Sequence, residues 1–419
     1  MTITSAALCS LDAASFPATP SVTDSGHAWR LEDTYARVKA LLRAVPITRV
    51  VNVTPLDAVS LPVWAAITPL ARDLTVHAGK GRTALAAQLS AIMEAIERVC
   101  AECVAAERTH RASFEAMRNG SLTASVDPDD LNLPFNTAYT PNAALRWVIG
   151  HDLVRSEPVW VPLDVVVSPS EDGVCSGVET NGLAAGNTIV EATLHALYEV
   201  IERDAASIHH FCELHAEPTD TRAPVVRVVD AAGFPPETAE WCGRLAEHGL
   251  ETWVEDLTSD LSVPVFGAVI VDRRFAGNDG QLTTFVGHGC DLDSRRALFR
   301  AVSEATQARS IVSLGARDTF EGLRVLPDRS ARLRRRLDVL HPRSTTAFTA
   351  TTEASGDLAQ DLQRMVRRLA ERGFRRVIVV ELTRPDLGVP VVRVIVPGLE
   401  PPYGATTRRP GTRLLSTLV

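Results

Sequence analysis

Apolar residues dominate Gly186 to Asp204, GNTIVEATLHALYEVIERD, on nearly every side of a 3.6-residue period, and no Gly or Pro interrupts the run once it has begun. That pattern predicts a helix buried in a core and not one lying on a surface. Gly81 to Cys100, GRTALAAQLSAIMEAIERVC, carries the same pattern 105 residues earlier. Gly81/Gly186, Thr83/Thr188, Ala87/Ala192, Leu89/Leu194, Ala91/Ala196, Glu94/Glu199, Ile96/Ile201, Glu97/Glu202 and Arg98/Arg203 are identical. A third copy, Asp291 to Arg309, lies a further 105 residues on and keeps Ala297, Ala301 and Glu304. Gln307 replaces the second Glu, and Arg300 stands where the other copies have Ser90 and His195. Thr83, Thr188 and Asp293 are N-cap residue types just ahead of each run. The pattern predicts an α/β (α+β) fold in which three related strand-helix units at a 105-residue repeat pack into one interleaved unit.

Val- and Ile-rich stretches bounded by turn residues predict strands at Ile47 to Val53, Leu61 to Ile67, Trp147 to Ile149, Val159 to Val167, Val263 to Val271, Leu282 to Gly287, Arg376 to Leu382 and Val389 to Val396. Leu358 to Arg372 reads as an amphipathic helix. HAGKGRT lacks the glycine of a Walker loop, since position 74 is Leu. Gly79 and Gly81 are therefore expected to form the turn that launches the first helix. Free N–H groups there, with Lys80, make a phosphate-binding candidate, against the plainer reading of Lys80 as a solvated turn lysine.

The polar residues of the three helices fall on one face each. Positions i, i+4 and i+7 lie within about 60° of one another, which groups Ser90, Glu94 and Glu97, then His195, Glu199 and Glu202, then Arg300, Glu304 and Gln307. Glu94 with Arg98 and Glu199 with Arg203 are favourable i, i+4 pairs worth about 0.2–0.5 kcal/mol. Glu97 and Glu202 have no such partner and sit three residues from a like charge. Buried acids of this kind need cations from elsewhere. Four carboxylates, with Asn187, Arg203 and Arg300 near them in the pattern, suit Mg²⁺ and a polyphosphate, because Mg²⁺ takes oxygen ligands between carboxylates and nucleotide phosphates. Structural ion pairing stays open beside that reading. Glu191 has a sufficient explanation in the helix dipole, yet its place eight residues before Glu199 keeps it near the same face. His195 marks a contact position without specifying a chemistry.

Composition narrows the setting. The 419 residues carry 43 Lys and Arg against 51 Asp and Glu, a formal net charge of −8, which argues against a nucleic-acid partner. No apolar run approaches the roughly 20 residues that span a bilayer. Seven scattered Cys suit a reducing cytoplasm better than a disulfide framework. Cys100 and Cys103 lack a second pair at zinc spacing, and Cys290 reads as a turn residue. Residues 1–29 are rich in Ala, Ser, Thr and Pro and read as a mobile extension, leaving 30–419 as the folded domain. The Arg-rich run Arg324 to Arg343 reads as a solvated helix that could dock an acidic partner.

Ser90, Glu94, Glu97 and Arg98, then GLAAGNT (Gly182 to Thr188), Glu191, Glu199, Glu202, Arg203, and finally Arg300 and Glu304, resemble the motifs of the YcaO family. The likeness runs from about Arg30 to Glu400, about nine tenths of the chain. The resemblance implies a YcaO-like catalytic domain that uses ATP and Mg²⁺ to activate a peptide backbone amide. It implies metal binding by Glu94, Glu97, Glu199 and Glu202, and nucleotide contacts from Lys80, Ser90, Asn187, Glu191, Arg203, Arg300 and Glu304. Which acid binds metal and which orients nucleotide is not legible from residue type. The look is closest to the branch associated with TfuA-type partner proteins, which implies a TfuA-like partner, a precursor peptide or protein substrate, no membrane, and leaves a homodimer open. The chain ends RRPGTRLLSTLV, where azoline-forming members tend to carry a PxPxP tail. That favours an external nucleophile, above all sulfur to give a thioamide. The alternatives are an azoline-forming cyclodehydratase and a non-enzymatic nucleotide-binding scaffold.

Overall fold

The computed structural model describes residues 16–21, 26–175, 179–215, 227–272, 284–314, 345–403 and 408–418. The Arg-rich run at 324–343 lies outside them, as do 1–15 and 22–25 of the expected extension. Helices are α1 (Leu31–Lys39), α2 (Ala84–Cys100), α3 (Phe114–Gly120), α4 (Ile189–His215), α5 (Pro236–Glu247), α6 (Ser294–Leu314), α7 (Leu358–Glu371) and α8 (Thr412–Leu415). The strands form three sheets. β1 (Arg49–Asn52), β2 (Val63–Ile67) and β3 (Val76–Lys80) make an antiparallel meander. β4 (Thr109–Ser113), β5 (Ala144–Asp152), β6 (Glu157–Pro162), β7 (Leu183–Ala185), β13 (Ile378–Glu381) and β14 (Val391–Ile395) make a second sheet, ordered β4-β5-β13-β14-β7 with β6 also on β5. β8 (Arg227–Asp230), β9 (Leu250–Asp256), β10 (Val265–Asp272), β11 (Thr284–Cys290) and β12 (Thr345–Ala347) make the third, ordered β11-β10-β9-β8-β12.

Three helices organise this mixed architecture. β3 leads into α2, β7 into α4 and β11 into α6, one strand-helix unit for each sheet. Their starts are capped by side chains as the residue types required. Thr83 Oγ1 accepts from Ala86 N, Thr188 Oγ1 from Glu191 N and Asp293 Oδ1 from Arg295 N. Each helix touches its own strand and also the strand of another unit: α2 reaches β7, α4 reaches β11 and α6 reaches β3. The units thus close into a ring. The approach is tight because alanine faces glycine. A Cβ on Gly79 would stand 2.1 Å from Ala91 N and 2.2 Å from Ala87 O, and one on Gly289 would stand 2.1 Å from Ala297 O.

Several local expectations change where long-range pairing decides. Gly79 and Lys80 lie in strand β3, not in a turn, because they pair with Trp64 and Val63 of β2. The expected strand over Val159 to Val167 ends at Pro162, which cannot donate to a ladder. A 3₁₀ turn follows, and the Asp164 carboxylate gathers the N–H groups of Asp172, Val174 and Cys175. Cys290 is the last residue of β11 and fully buried, and burial pushes its thiol well up, so it offers no thiolate nucleophile. Residues 16–21 and 26–29, expected within a mobile extension, pack on the body. Phe16 enters the core, Thr19 N donates to Asp357 Oδ1, and His27 reaches α4. Among the described residues no helix is long and apolar enough to cross a membrane.

Gly79→Val should lower unfolding stability by about 3 kcal/mol, the upper range for overpacking, because the helix backbone cannot yield. Gly120→Ala, with nothing within 4 Å of the new carbon, should stay within about 1 kcal/mol of wild type. Urea unfolding of the two variants checks both.

Candidate functional site

The ring of helices turns its acids inward. Glu94 Oε2 accepts from Ala78 N of β3 at 3.1 Å, and Glu97 Oε2 accepts from Ala185 N of β7 at 3.1 Å. Two residues of one α2 face therefore tie two strands together. Gln307 Nε2 of α6 donates to Ala78 O at 2.7 Å, and Lys80 Nζ donates to Glu304 Oε2 of α6 at 2.6 Å. Arg98 lies 3.9 Å from Glu94 and 3.0 Å from Asp73, while Arg203 lies 3.9 Å from Glu199.

The charges are unbalanced, and the acids show it. Burial, followed by the nearby Glu199 and Glu94 carboxylates, holds Glu97 well above the usual range. Burial also raises Glu199, with Glu304 adding to the effect and Arg203 and Arg393 opposing it. Glu202 is pushed up to about 7 by burial and then by Glu304, against the pull of Arg203 and Arg300. Glu304 goes the other way. Burial would raise it, yet Lys80 and Arg203 bring it down to about 2. The Nε of Arg203 is buried with no hydrogen bond to any described residue. Ser90 is half-buried one turn before Glu94.

Asn187 and Glu191 form a second centre. Asn187 Nδ2 donates to both Glu191 oxygens at 3.2 and 3.3 Å, and Thr34 Oγ1 donates to Asn187 Oδ1 at 2.9 Å. His27 Nδ1 lies 2.8 Å from Glu191 Oε1, and Ala28 N donates to Oε2 at 3.1 Å. Burial would raise Glu191, but the His27 hydrogen bond and charge, with His195, hold it at about 2. The structure thus places Lys80, Glu94, Glu97, Glu199, Glu202, Arg203, Arg300 and Glu304 around one acid cluster. His195, beside both Glu191 and Arg300, bridges toward the Asn187 and Glu191 centre.

Sequence reasoning missed Arg393 and the N-terminal contacts. Arg393 of β14 is 3% exposed, donates to Glu179 O at 3.1 Å and faces the charge of Glu199. A lone Arg inside the apolar VPVVRVIVP run was its signal. His27, Thr34 and Arg37 carried none, since only the folded chain brings them to Glu191 and Asn187.

The sequence profile described as YcaO cyclodehydratase, ATP- and Mg²⁺-binding, matches residues 78–400. The chain belongs to the YcaO family. It is 36% identical over 395 residues to an uncharacterised protein of Methanothermobacter thermautotrophicus, a match covering 90% of this chain and 95% of that protein. It is 32% identical over 398 residues to an uncharacterised protein encoded in the tfuA 3′ region of Rhizobium leguminosarum bv. trifolii, covering 92% and 91%. The structure of a YcaO protein from Methanopyrus kandleri, bound with AMPPCP and Mg²⁺, superposes with a TM-score of 0.73. That pair is 28% identical, and the match covers 94% of this chain and 98% of that one.

Glu202 is harder to ionise in the folded chain than in the unfolded one, where a glutamate titrates near 4.3. Its contribution to stability is therefore complete below that value and is lost as pH rises through about 7. Glu202→Gln lacks this term. The stability of the variant relative to wild type should climb between about pH 4 and 7 and then level. Urea midpoints across that range check it, and a difference independent of pH would contradict the titration.

Proposed function

We propose that this chain uses ATP and Mg²⁺ to activate a backbone amide of a peptide or protein for attack by an external sulfur nucleophile, giving a thioamide. The observation that carries the reading is the surplus of buried carboxylate at the meeting of α2, α4 and α6, which leaves Glu97 and Glu202 hard to ionise until a cation arrives. The residues fit the implied groups. An all-oxygen carboxylate set matches a hard cation such as Mg²⁺. The Nε of Arg203, which makes no hydrogen bond to a described residue, and the ammonium of Lys80, both near Glu304, match phosphate oxygens. Membership of the YcaO family and the likeness to the nucleotide-bound Methanopyrus kandleri protein support the same assignment.

Glu94, Glu97, Glu199 and Glu202 would hold the metal. Lys80, Arg203 and Arg300 would hold phosphate oxygens and offset charge on the transferring group. Ser90, Asn187, Glu191 and Glu304 would orient the nucleotide or a metal-bound water. When bound, ATP supplies the phosphoryl group that converts the amide oxygen into a good leaving group, which departs as phosphate once sulfur has added at the amide carbon. A TfuA-like protein is the partner we infer, from the relative encoded beside tfuA. Residues 30–419 form the catalytic domain in this reading.

The family's description as cyclodehydratase favours a second reading, in which a Cys, Ser or Thr side chain of the substrate attacks instead. Incubation with Mg²⁺-ATP, sulfide, a TfuA-like protein and a candidate precursor peptide separates the two. Peptide-dependent phosphate release with exchange of one oxygen for sulfur in the intact mass is the expected result. Loss of one water would establish the azoline reading, and no nucleotide turnover with any peptide would contradict both. Glu202→Gln should lower phosphate release by about a hundredfold or more while leaving the fold intact by circular dichroism.

A further inference from the structure

We propose that Asp73, in the loop between β2 and β3, is a positioning residue for the acid cluster: it draws Arg98 away from Glu94 and so sets how tightly the α2 carboxylates take a divalent ion. The inference rests on the reading of that cluster as a Mg²⁺ site. Asp73 itself lies outside the three repeated helices.

Arg98 divides its guanidinium unequally. Nη1 donates to Asp73 Oδ2 at 3.0 Å, a charge-assisted hydrogen bond. Nη2 stays 3.9 Å from Glu94 Oε1, within ion-pair range but too far for a hydrogen bond. The side chains of the short pair are only 19% and 8% exposed, so solvent and salt screen their attraction little. The Nε of Arg98 is buried without a hydrogen bond to a described residue. The guanidinium therefore has a donor to spare for a second acid once Asp73 releases it.

The repeat supplies a contrast. Arg203, the counterpart of Arg98 on α4, also stands 3.9 Å from the Glu one turn before it. The acids that face Arg203 are Glu199, Glu202 and Glu304, all members of the cluster. Those that face Arg98 are Glu94, Glu97 and Asp73, and of these Asp73 comes from outside it. On α4 the arginine is shared among cluster acids. On α2 part of its charge is drawn off to a loop, which leaves Glu94 and Glu97 less opposed toward an arriving ion.

Asp73 is held in place for that task. Ser168 Oγ donates to the same Oδ2 at 3.0 Å, and Ser168 N donates at 2.9 Å to the carbonyl of Ala101, the C-cap of α2. Beside it, Arg72 N donates to Glu102 Oε1 at 2.7 Å and Arg72 Nη1 to Glu102 O at 3.1 Å. The loop is thereby pinned to the end of the helix whose acids it serves. Outer layers of this kind orient metal ligands, and losing one costs about 10–100-fold in metal affinity.

The test is the Mg²⁺ concentration that half-saturates binding of a fluorescent, non-hydrolysable ATP analogue, kept at trace concentration, to the full chain. Asp73→Asn, which keeps the shape and removes the charge, should raise that midpoint about 10–100-fold. In an Arg98→Gln chain, adding Asp73→Asn should move it no further, because Asp73 acts through Arg98. A merely structural Asp73 would lower urea stability and leave the midpoint of the folded protein where it was. If circular dichroism shows that Asp73→Asn does not fold, Ser168→Ala decides the matter: loss of the hydrogen bond that holds Oδ2 should raise the midpoint about threefold. An unchanged midpoint in folded Asp73→Asn, or in Ser168→Ala where that variant decides, or a full further shift in the double variant, would overturn the proposal and leave the Mg²⁺ reading standing. Analogue binding to wild type that ignores Mg²⁺, or no binding, would overturn both.

Discussion

Burial of carboxylates beside one another on three helices is the constraint on which the centre of this protein depends. Glu97, Glu199 and Glu202 are each raised by burial and by a neighbouring acid, and the cations within reach do not cancel them all. Arg203 and Arg300 gain from the same carboxylates that they serve. Lys80 is spent on Glu304, which it and Arg203 bring far down. A chain that keeps such an arrangement gives up stability at its core for a place where added positive charge is favoured.

The rest of the architecture keeps those acids from moving apart. Each central helix is wedged between its own strand and that of another unit, and the contacts at Gly79 and Gly289 leave no room for a side chain. Glu94 and Glu97 are further fixed by N–H groups of β3 and β7. The middle of α4 is secured as well. Asp204, next to Arg203, accepts from Glu400 N and pairs with Arg413 at 2.8 Å, so the C-terminal segment braces the helix that carries Glu191, Glu199, Glu202 and Arg203. Rigid support around a repulsive cluster is what precise placement of a metal and phosphate requires.

Much of this was legible in the sequence, for identifiable reasons. The three helices, their caps and their shared polar face follow from local periodicity and residue type, as at Thr83, Thr188 and Asp293. The strand character of Gly79 and Lys80 was hidden because glycine disfavours a strand until a partner such as β2 supplies the pairing. Arg393 was hidden inside an apolar strand that otherwise reads as pure core. The contacts of His27 with α4, and of Thr34 and Arg37 with Asn187 just ahead of it, span 150 residues or more and have no local signature. Cys290 reads as a turn residue because Gly287 and Gly289 precede it, whereas those glycines are the close-packing surface of β11.

The most direct test of the central claim is calorimetric titration with a non-hydrolysable ATP analogue at about pH 6.5, in two buffers of different ionisation enthalpy, with and without Mg²⁺. Binding should require Mg²⁺ and release protons, because the arriving cation forces Glu202, which titrates near 7, to ionise. Equal binding without Mg²⁺, no proton release, or no binding would show that the carboxylates of α2, α4 and α6 serve only each other and their arginines.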